Sequence, residues 1–300
     1  MSSSTTMLIG PAGWEYDDWQ GIVYPLKRPK GFRPLPYLGR WFNLVEVNSS
    51  YYHIPPAARA KSWCAQVAHL PAFQFTAKLW RGFTHEGTYT QGDVAAFCAF
   101  AEQLAAEERL GCLLMQFPWS FKQNAENVAY LEKLAGHFAH LPLALEVRHD
   151  SWLQENAALH FCADRAIAFC NIDQPPLNRC LRPSNHVTAP FAYVRLHGRN
   201  SANWFNEQAS VAARYDYLYQ DQELSEWAGR LRGLIEKAAK IFVVANNHFR
   251  GKAVANALEL RERLEPLKLR LPGSLTREYP QLARLPGVSS EKDEQQLELF

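Results

Sequence analysis

Three cationic side chains, Lys78, Arg148 and Arg195, each fall late in a short apolar run of this chain. Arginine's planar fork suits a carboxylate or a phosphate, so three such groups gathered together would hold an anion. Glu46, Glu146, Asp173 and His197 stand at the same place in their own runs. They could move protons, because mixed charges packed closely drive their pKa values apart. Of these, Glu146 and His197 are the first base and acid expected. Asn48, Gln116 and Asn246 add amides that orient a ligand without adding charge, and Trp14 adds an aromatic wall. The chemistry implied is that of an enzyme, of hydrolase, lyase or isomerase type, acting on an anionic small molecule or a nucleic-acid sugar phosphate.

A divalent metal is a competing use of the same region, since Glu46, Glu146, His149, Asp173, His197 and His248 are oxygen and nitrogen donors. Lys78, Arg148 and Arg195 would repel a cation there, so no metal ligand is assigned and no cofactor is predicted. A purely structural reading also exists, in which Glu46 and Glu146 neutralise Arg148, Arg195 and Lys78 as a plug. Buried ion networks are weak stabilisers, which favours a use in ligand binding. His149, Asp150 and Ser151 make no serine triad, because adjacent side chains cannot aim at one atom.

The elements that must position these groups are short apolar runs at Met7 to Ile9, Leu44 to Val47, Phe73 to Leu79, Cys112 to Phe117, Leu143 to Val147, Ile167 to Ile172, Ala192 to Leu196 and Ile241 to Ala245. Helical patterns lie between most of them: Val94 to Glu108, Ala125 to Phe138, Ala157 to Arg165 and Leu224 to Lys240, with Lys252 to Leu264 after the last. Strands alternating with helices favour a parallel sheet, and eight such units close a (β/α)8 barrel of the TIM type. An open doubly wound sheet is the alternative. Period-two alternation places Glu46 with Asn48, Thr76 with Lys78, Leu114 with Gln116, Glu146 with Arg148, Asn171 with Asp173, Arg195 with His197 and Asn246 with His248. All are expected on one rim, where barrel active sites are built.

Two loops should lie on that rim. The first carries Trp14, Tyr16, Trp19 and Tyr24 followed by Lys27, Arg28, Lys30 and Arg33. It could stack a base and hold a phosphate, or be a lid whose aromatics pack on the mouth and whose cations are merely solvated. The second, KLWRGFTH, brings Trp80, Arg81 and His85. The net charge of +2 excludes bulk polyanion binding, so any charge effect must be local. Six cysteines without a CxxC pair read as reduced thiols of a cytoplasmic protein, and the opening MSSSTTMLIG carries no targeting pattern. No apolar stretch reaches 18 residues, so no membrane association is expected.

The blocks GPAGWEYDDWQGIVYP, LVEVNSSYYHIP, FTAKLWRGFTH, LLMQFPWSF, LEVRHDSW, NIDQP, YVRLHGR and ANNHFRGKAVANALEL resemble the YecE-like family, a domain of unknown function. The resemblance covers about residues 8 to 265 and implies a TIM barrel with a polar rim. It implies no established reaction. Pro11, Ala12 and Trp119 depart from the family's usual residues.

Residues 1–272 are expected to form the barrel and 273–300 a flexible tail, because Pro280 and Pro286 interrupt helices and SSEKDEQ is too polar to bury. The chain finishes on Gln296, Leu297, Glu298, Leu299 and Phe300. This resembles the short peptide by which bacterial polymerases and repair proteins dock on the DNA sliding clamp, with Gln296 setting register and Leu297, Leu299 and Phe300 entering an apolar pocket. A DNA-associated protein recruited through that end is therefore the alternative to a small-molecule enzyme. A non-catalytic barrel that senses a metabolite is the third class.

Overall fold

The computed structural model describes residues 5–291. The eight apolar runs are eight parallel strands: β1 (Thr6–Pro11), β2 (Leu44–Val47), β3 (Gln74–Lys78), β4 (Leu110–Gln116), β5 (Leu143–Glu146), β6 (Ala168–Asp173), β7 (Phe191–Leu196) and β8 (Lys240–Ala245). Each neighbours the next in chain order, and β1 returns to pair with β8 from Thr6↔Lys240 to Pro11↔Ala245. Strands this short and this apolar are stable because both faces are covered, one by the barrel interior and one by helices.

The seam between β1 and β2 is knit differently. A backbone bridge joins Ala12 and Glu46, and the Gly13 amide donates to the Glu46 carbonyl at 2.9 Å. Below it the side chain of Asn43 stands in for a ladder: the Ile9 amide donates to its Oδ1 at 2.9 Å, and its Nδ2 donates to the Met7 carbonyl at 3.1 Å. Gly10 permits this approach, since a Cβ there would lie 1.7 Å from the Leu44 carbonyl oxygen. The result is a nearly closed eight-stranded barrel in a single α/β domain.

Around it lie α1 (Pro34–Leu38), α2 (Ala57–Gln66), α3 (Gln91–Ala106), α4 (Ala125–His137), α5 (Ala157–Asp164), α6 (Val211–Arg214), α7 (Asp221–Ile235), α8 (Lys252–Glu262) and α9 (Gly273–Glu278). Helix α3 starts on a capping box, with Thr90 and Asp93 exchanging hydrogen bonds, and α4 on Asn124, whose side chain accepts from the Asn127 amide. The amphipathic pattern read as Leu224 to Lys240 ends at Ile235, because Lys240 already belongs to β8. Helix α2, which follows Pro55 and Pro56, was not expected from its weak apolar periodicity.

The expectation of a flexible tail from Gly273 is corrected. Helix α9 buries Leu275 and Thr276, a turn at Pro280–Arg284 buries Leu282, and β10 (Val288–Ser290) pairs with β9 (Leu269–Leu271). The prolines there begin or end turns rather than forbid structure, as Pro272 does before α9. Gln296, Leu297, Leu299 and Phe300 lie outside the described residues. Among the described residues no helix is long and apolar enough to cross a membrane.

Candidate active site

The carboxyl ends of the strands do gather charged groups, but in two tiers. The lower tier is buried. Arg195 on β7 donates from its two terminal nitrogens to Glu146 Oε2 on β5 and Glu46 Oε1 on β2, both at 2.6 Å. The Tyr193 hydroxyl donates to the other Glu46 oxygen at 2.8 Å and shares a 2.9 Å hydrogen bond with Thr76. Glu146 Oε1 takes two further contacts at 3.1 Å, from Arg148 Nε and His197 Nε2. The Cys170 thiol faces Oε2 at 4.0 Å. Burial would raise the Glu146 pKa, yet Arg195, His197 and Arg148 outweigh it and hold the group well below the usual carboxylate range.

That placement corrects the assignment of Glu146 and His197 as base and acid in the mouth. Neither Glu46, Glu146, Arg195 nor His197 lines the cavity, and each is at most 1% exposed. Glu146 has its lone pairs occupied by donors. His197 sits between Glu146 and the Asn246 amide, whose Nδ2 lies 3.0 Å from its Nδ1. An amide nitrogen donates, so Nδ1 accepts and the proton resides on Nε2, facing Glu146. Burial, opposed by Glu146 and reinforced by Arg148, brings the His197 pKa down to about 3. The ring is a neutral spacer near pH 7, not a titrating catalyst.

The upper tier is open. A cavity of about 1000 Å³ is lined by Lys78, Arg148, Asn48, Gln116, Asn246 and Trp14, six of the seven residues expected to contact a ligand; the seventh, Arg195, lies in the buried tier beneath, committed to Glu46 and Glu146. Arg148 donates from Nε to Glu146, bonds the Tyr215 side chain and lies 5.1 Å from the Trp204 ring centroid. Lys78 Nζ lies 4.3 Å from the centre of the Tyr51 ring. Burial first, and then Arg195 and Arg148 against Glu46 and Glu146, bring its pKa down to about 7. Asn48 donates to the Tyr16 hydroxyl at 3.3 Å, and Trp14 packs edge-on against Trp63 at 5.1 Å.

Asp173 is not in the mouth. On β6 it is Cys170 that faces the barrel interior, so Asn171 and Asp173 face the helices, and the expected alternation is out of phase by one residue. Asp173 accepts hydrogen bonds from Arg199 and from the indole of Trp227 on α7. Burial raises its pKa, with those two partners opposing. We therefore expect Asp173→Asn to destabilise the fold by about 2 kcal/mol, through loss of the charge-assisted hydrogen bonds from Arg199, which is 23% exposed and keeps its pairing with Glu223. Ligand affinity at the mouth should stay within twofold; calorimetric titration of a refolded variant checks this.

The six residues weighed as a metal set are likewise dispersed. Asp173 faces α7, Glu46 and Glu146 bind arginines, and His149 Nδ1 contacts Ser151 at the start of a 3-10 turn. His149 and Ser151 thus meet, but as a local cap and not as a triad. His248 packs parallel to the Tyr16 ring at 4.5 Å and does line the cavity. The aromatics of the first loop pack inward: Trp19 is fully buried and donates to the His248 carbonyl, and Tyr24 donates to that of Trp14. Lys27, Arg28, Lys30 and Arg33 are exposed and do not line the cavity, so this loop is the packed lid and not a base-stacking platform. Of the second loop, His85 reaches the cavity while Arg81 pairs with Glu86 at 2.6 Å.

Several wall residues escaped sequence reasoning: Tyr51, Trp119, Trp204, Arg214 and Tyr215. Trp204 and Tyr215 come from the long β7–α7 connection, whose only signal is its density of aromatics in NWFNEQASVAARYDYLYQ. Among the described residues, Cys98 and Glu102 on α3 and His140 in the turn after α4 are the group whose ligand atoms come within 4.8 Å of one another, away from the mouth.

Residues 8–280 match a family model described as protein of unknown function DUF72. The chain is similar to the UPF0759 protein YunF of Bacillus subtilis strain 168, 29% identical over 274 residues, which cover 86% of this chain and 94% of that one. It is also similar to a solved DUF72 family protein of Thermotoga maritima, 34% identical with a TM-score of 0.74, covering 87% of this chain and 99% of that one. A DUF72 family protein of Enterococcus faecalis V583 is 28% identical with a TM-score of 0.76, covering 87% and 96%.

Proposed function

The chain belongs to the DUF72 family, proteins of unknown function, and from that premise we propose that it is an enzyme acting on an anionic small molecule held in the barrel mouth. One observation carries this reading: the charges facing the cavity floor do not balance. Two buried carboxylates, Glu46 and Glu146, face Arg195 and Arg148, which match them one for one. Lys78 adds a third positive group to the same floor whenever its amine is protonated, and among the described residues it has no carboxylate within 4.0 Å. A ligand's phosphate or carboxylate would supply the missing negative charge. With Nε committed to Glu146 and a further hydrogen bond to the Tyr215 side chain, Arg148 still has terminal N–H groups left to donate to an anion.

A small molecule is favoured over a nucleic-acid chain, because Lys27, Arg28, Lys30 and Arg33, which would track a backbone, are outside the cavity. Trp14, Tyr51 and Trp204 give the walls an apolar character suited to a carbon skeleton. Calorimetric titration with inorganic phosphate, pyrophosphate and a panel of phosphorylated and carboxylated sugars tests the reading. Arg148→Ala should weaken whichever anion binds by about 10- to 100-fold, which is roughly 1.4–2.8 kcal/mol. Equal affinity in wild type and variant, or binding of neutral analogues alone, would remove it.

A further inference from the structure

The geometry points to Lys78 as a nucleophilic amine that condenses with the carbonyl group of an aldehyde or ketone whose anionic end rests on Arg148. This rests on, and deepens, the reading of the mouth as an anion-binding active site. The case begins with position. Lys78 ends β3, its backbone carbonyl is fixed by the Ser50 hydroxyl at 2.7 Å, and its side chain lines the cavity. Its amine lies over the Tyr51 ring and is tied to no carboxylate, unlike Arg148 and Arg195, each committed to Glu146.

The surroundings decide its protonation. From β2 comes Glu46, from β5 Glu146, from the segment just after β5 Arg148, from β7 Arg195, and from the turn after β3 comes His85, itself brought down to about 4 by burial and by nearby Lys78. Glu46 and Glu146 favour the ammonium form, but burial and the two guanidinium groups prevail, and about half of the amine is free near pH 7. An ordinary lysine holds about one part in a thousand as free amine at that pH. A lysine thus prepared has the property that Schiff-base catalysis requires.

The step balances without an outside oxidant or reductant. The Lys78 nitrogen lone pair forms a C–N bond to the carbonyl carbon, and the C=O π pair moves to oxygen, which takes up a proton. The nitrogen loses a proton, the carbinolamine hydroxyl is protonated and departs as water, and the C=N bond forms. His85 and Tyr215 line the same cavity and offer protic groups for these transfers. Arg148 would fix the anionic end of the substrate while the carbonyl faces Lys78. The imine then draws electrons from the adjacent carbon, which suits lyase or isomerase chemistry.

Pyridoxal phosphate, an anionic aldehyde, is the probe, with the intact chain trapped by borohydride and mapped by peptide mass. Labelling should reach one equivalent on Lys78 at least tenfold faster than on any other lysine, with a rate midpoint near pH 7. Saturating inorganic phosphate should slow it, because phosphate competes for Arg148. Parallel labelling with pyridoxal, which lacks the phosphate, separates the two readings. Equal rates for the two aldehydes would keep the amine and remove the anion site. Failure of either aldehyde to label Lys78 ahead of the exposed lysines, or a midpoint near that of an ordinary lysine, would overturn the amine itself. Because the wild-type chain is mapped, the outcome does not depend on a variant folding.

Discussion

Replacing Arg195 by methionine is expected to cost the fold about 3–5 kcal/mol at pH 7, the scale for removing one partner of a buried ion pair. Arg195 bridges Glu46 and Glu146 at 2.6 Å on each side, and all three residues are buried. Without the guanidinium two carboxylates would be left enclosed, Glu146 keeping only Arg148 and His197. The pH dependence should invert as well. In the wild type the lowered pKa of Glu146 contributes stability that is present above the unfolded carboxylate value, near 4.5, and is lost as pH falls. In the variant the burial of Glu146 would no longer be offset by Arg195, so stability would be recovered on acidification and lost as pH rises. Urea unfolding across pH 4 to 8 reads both the magnitude and the sign. A variant as stable as wild type at pH 7 would show that the buried tier is not electrostatically coupled.

Lys78→Met should act in the opposite direction and stabilise the protein. Burial and the two arginines lower the Lys78 pKa from 10.5 to about 7, so below pH 7 the folded chain carries a disfavoured charge. Between pH 7 and 10.5 the unfolded chain binds more protons than the folded one, and stability rises with pH. Above 10.5 the amine is neutral in both states and the difference vanishes. Methionine removes this dependence, and the gain at pH 6 should be on the order of 3 kcal/mol, discounted from the full shift because the amine keeps contact with the open cavity. Thermal unfolding at pH 6 and pH 10 should therefore show a large gap between variant and wild type that closes at the higher pH. A variant less stable than wild type at pH 6 would contradict the account. The wild-type protein retains a lysine that costs stability where an apolar residue would not, which is the usual mark of a functional site.

The barrel was legible because its strands are apolar on both faces and punctuated by helical periodicity, and all eight runs became strands. The site was legible where alternation alone decides facing. Glu146, the last residue of β5, and Arg148 just beyond it do point inward together, and so do Thr76 and Lys78 in β3. Alternation fails at β6, where Ala168 to Asp173 is buried along its whole length and composition offers no phase: the pattern puts Asp173 on the rim, and Trp227 holds it outside. Depth was also unreadable. Period-two patterning tells which face a side chain occupies but not how far up the cavity it sits, so Glu146 and His197 were grouped with Lys78 although only the last meets the opening. The segment after Pro272 was misread for another reason. Its buried anchors, Leu275, Tyr279 and Leu282, are few and widely spaced, and they fold only because the barrel offers a surface to receive them.

The order in which this chain leaves the ribosome is set against the way it closes. Residues Thr6 to Pro11 are made more than two hundred residues ahead of their ladder partner, Lys240 to Ala245. Their other neighbour offers only the Asn43 amide and a single bridge. Until β8 has emerged, β1 must therefore wait with that edge unpaired, and the pairing that makes the sheet a ring forms only after the intervening strands and helices have been made.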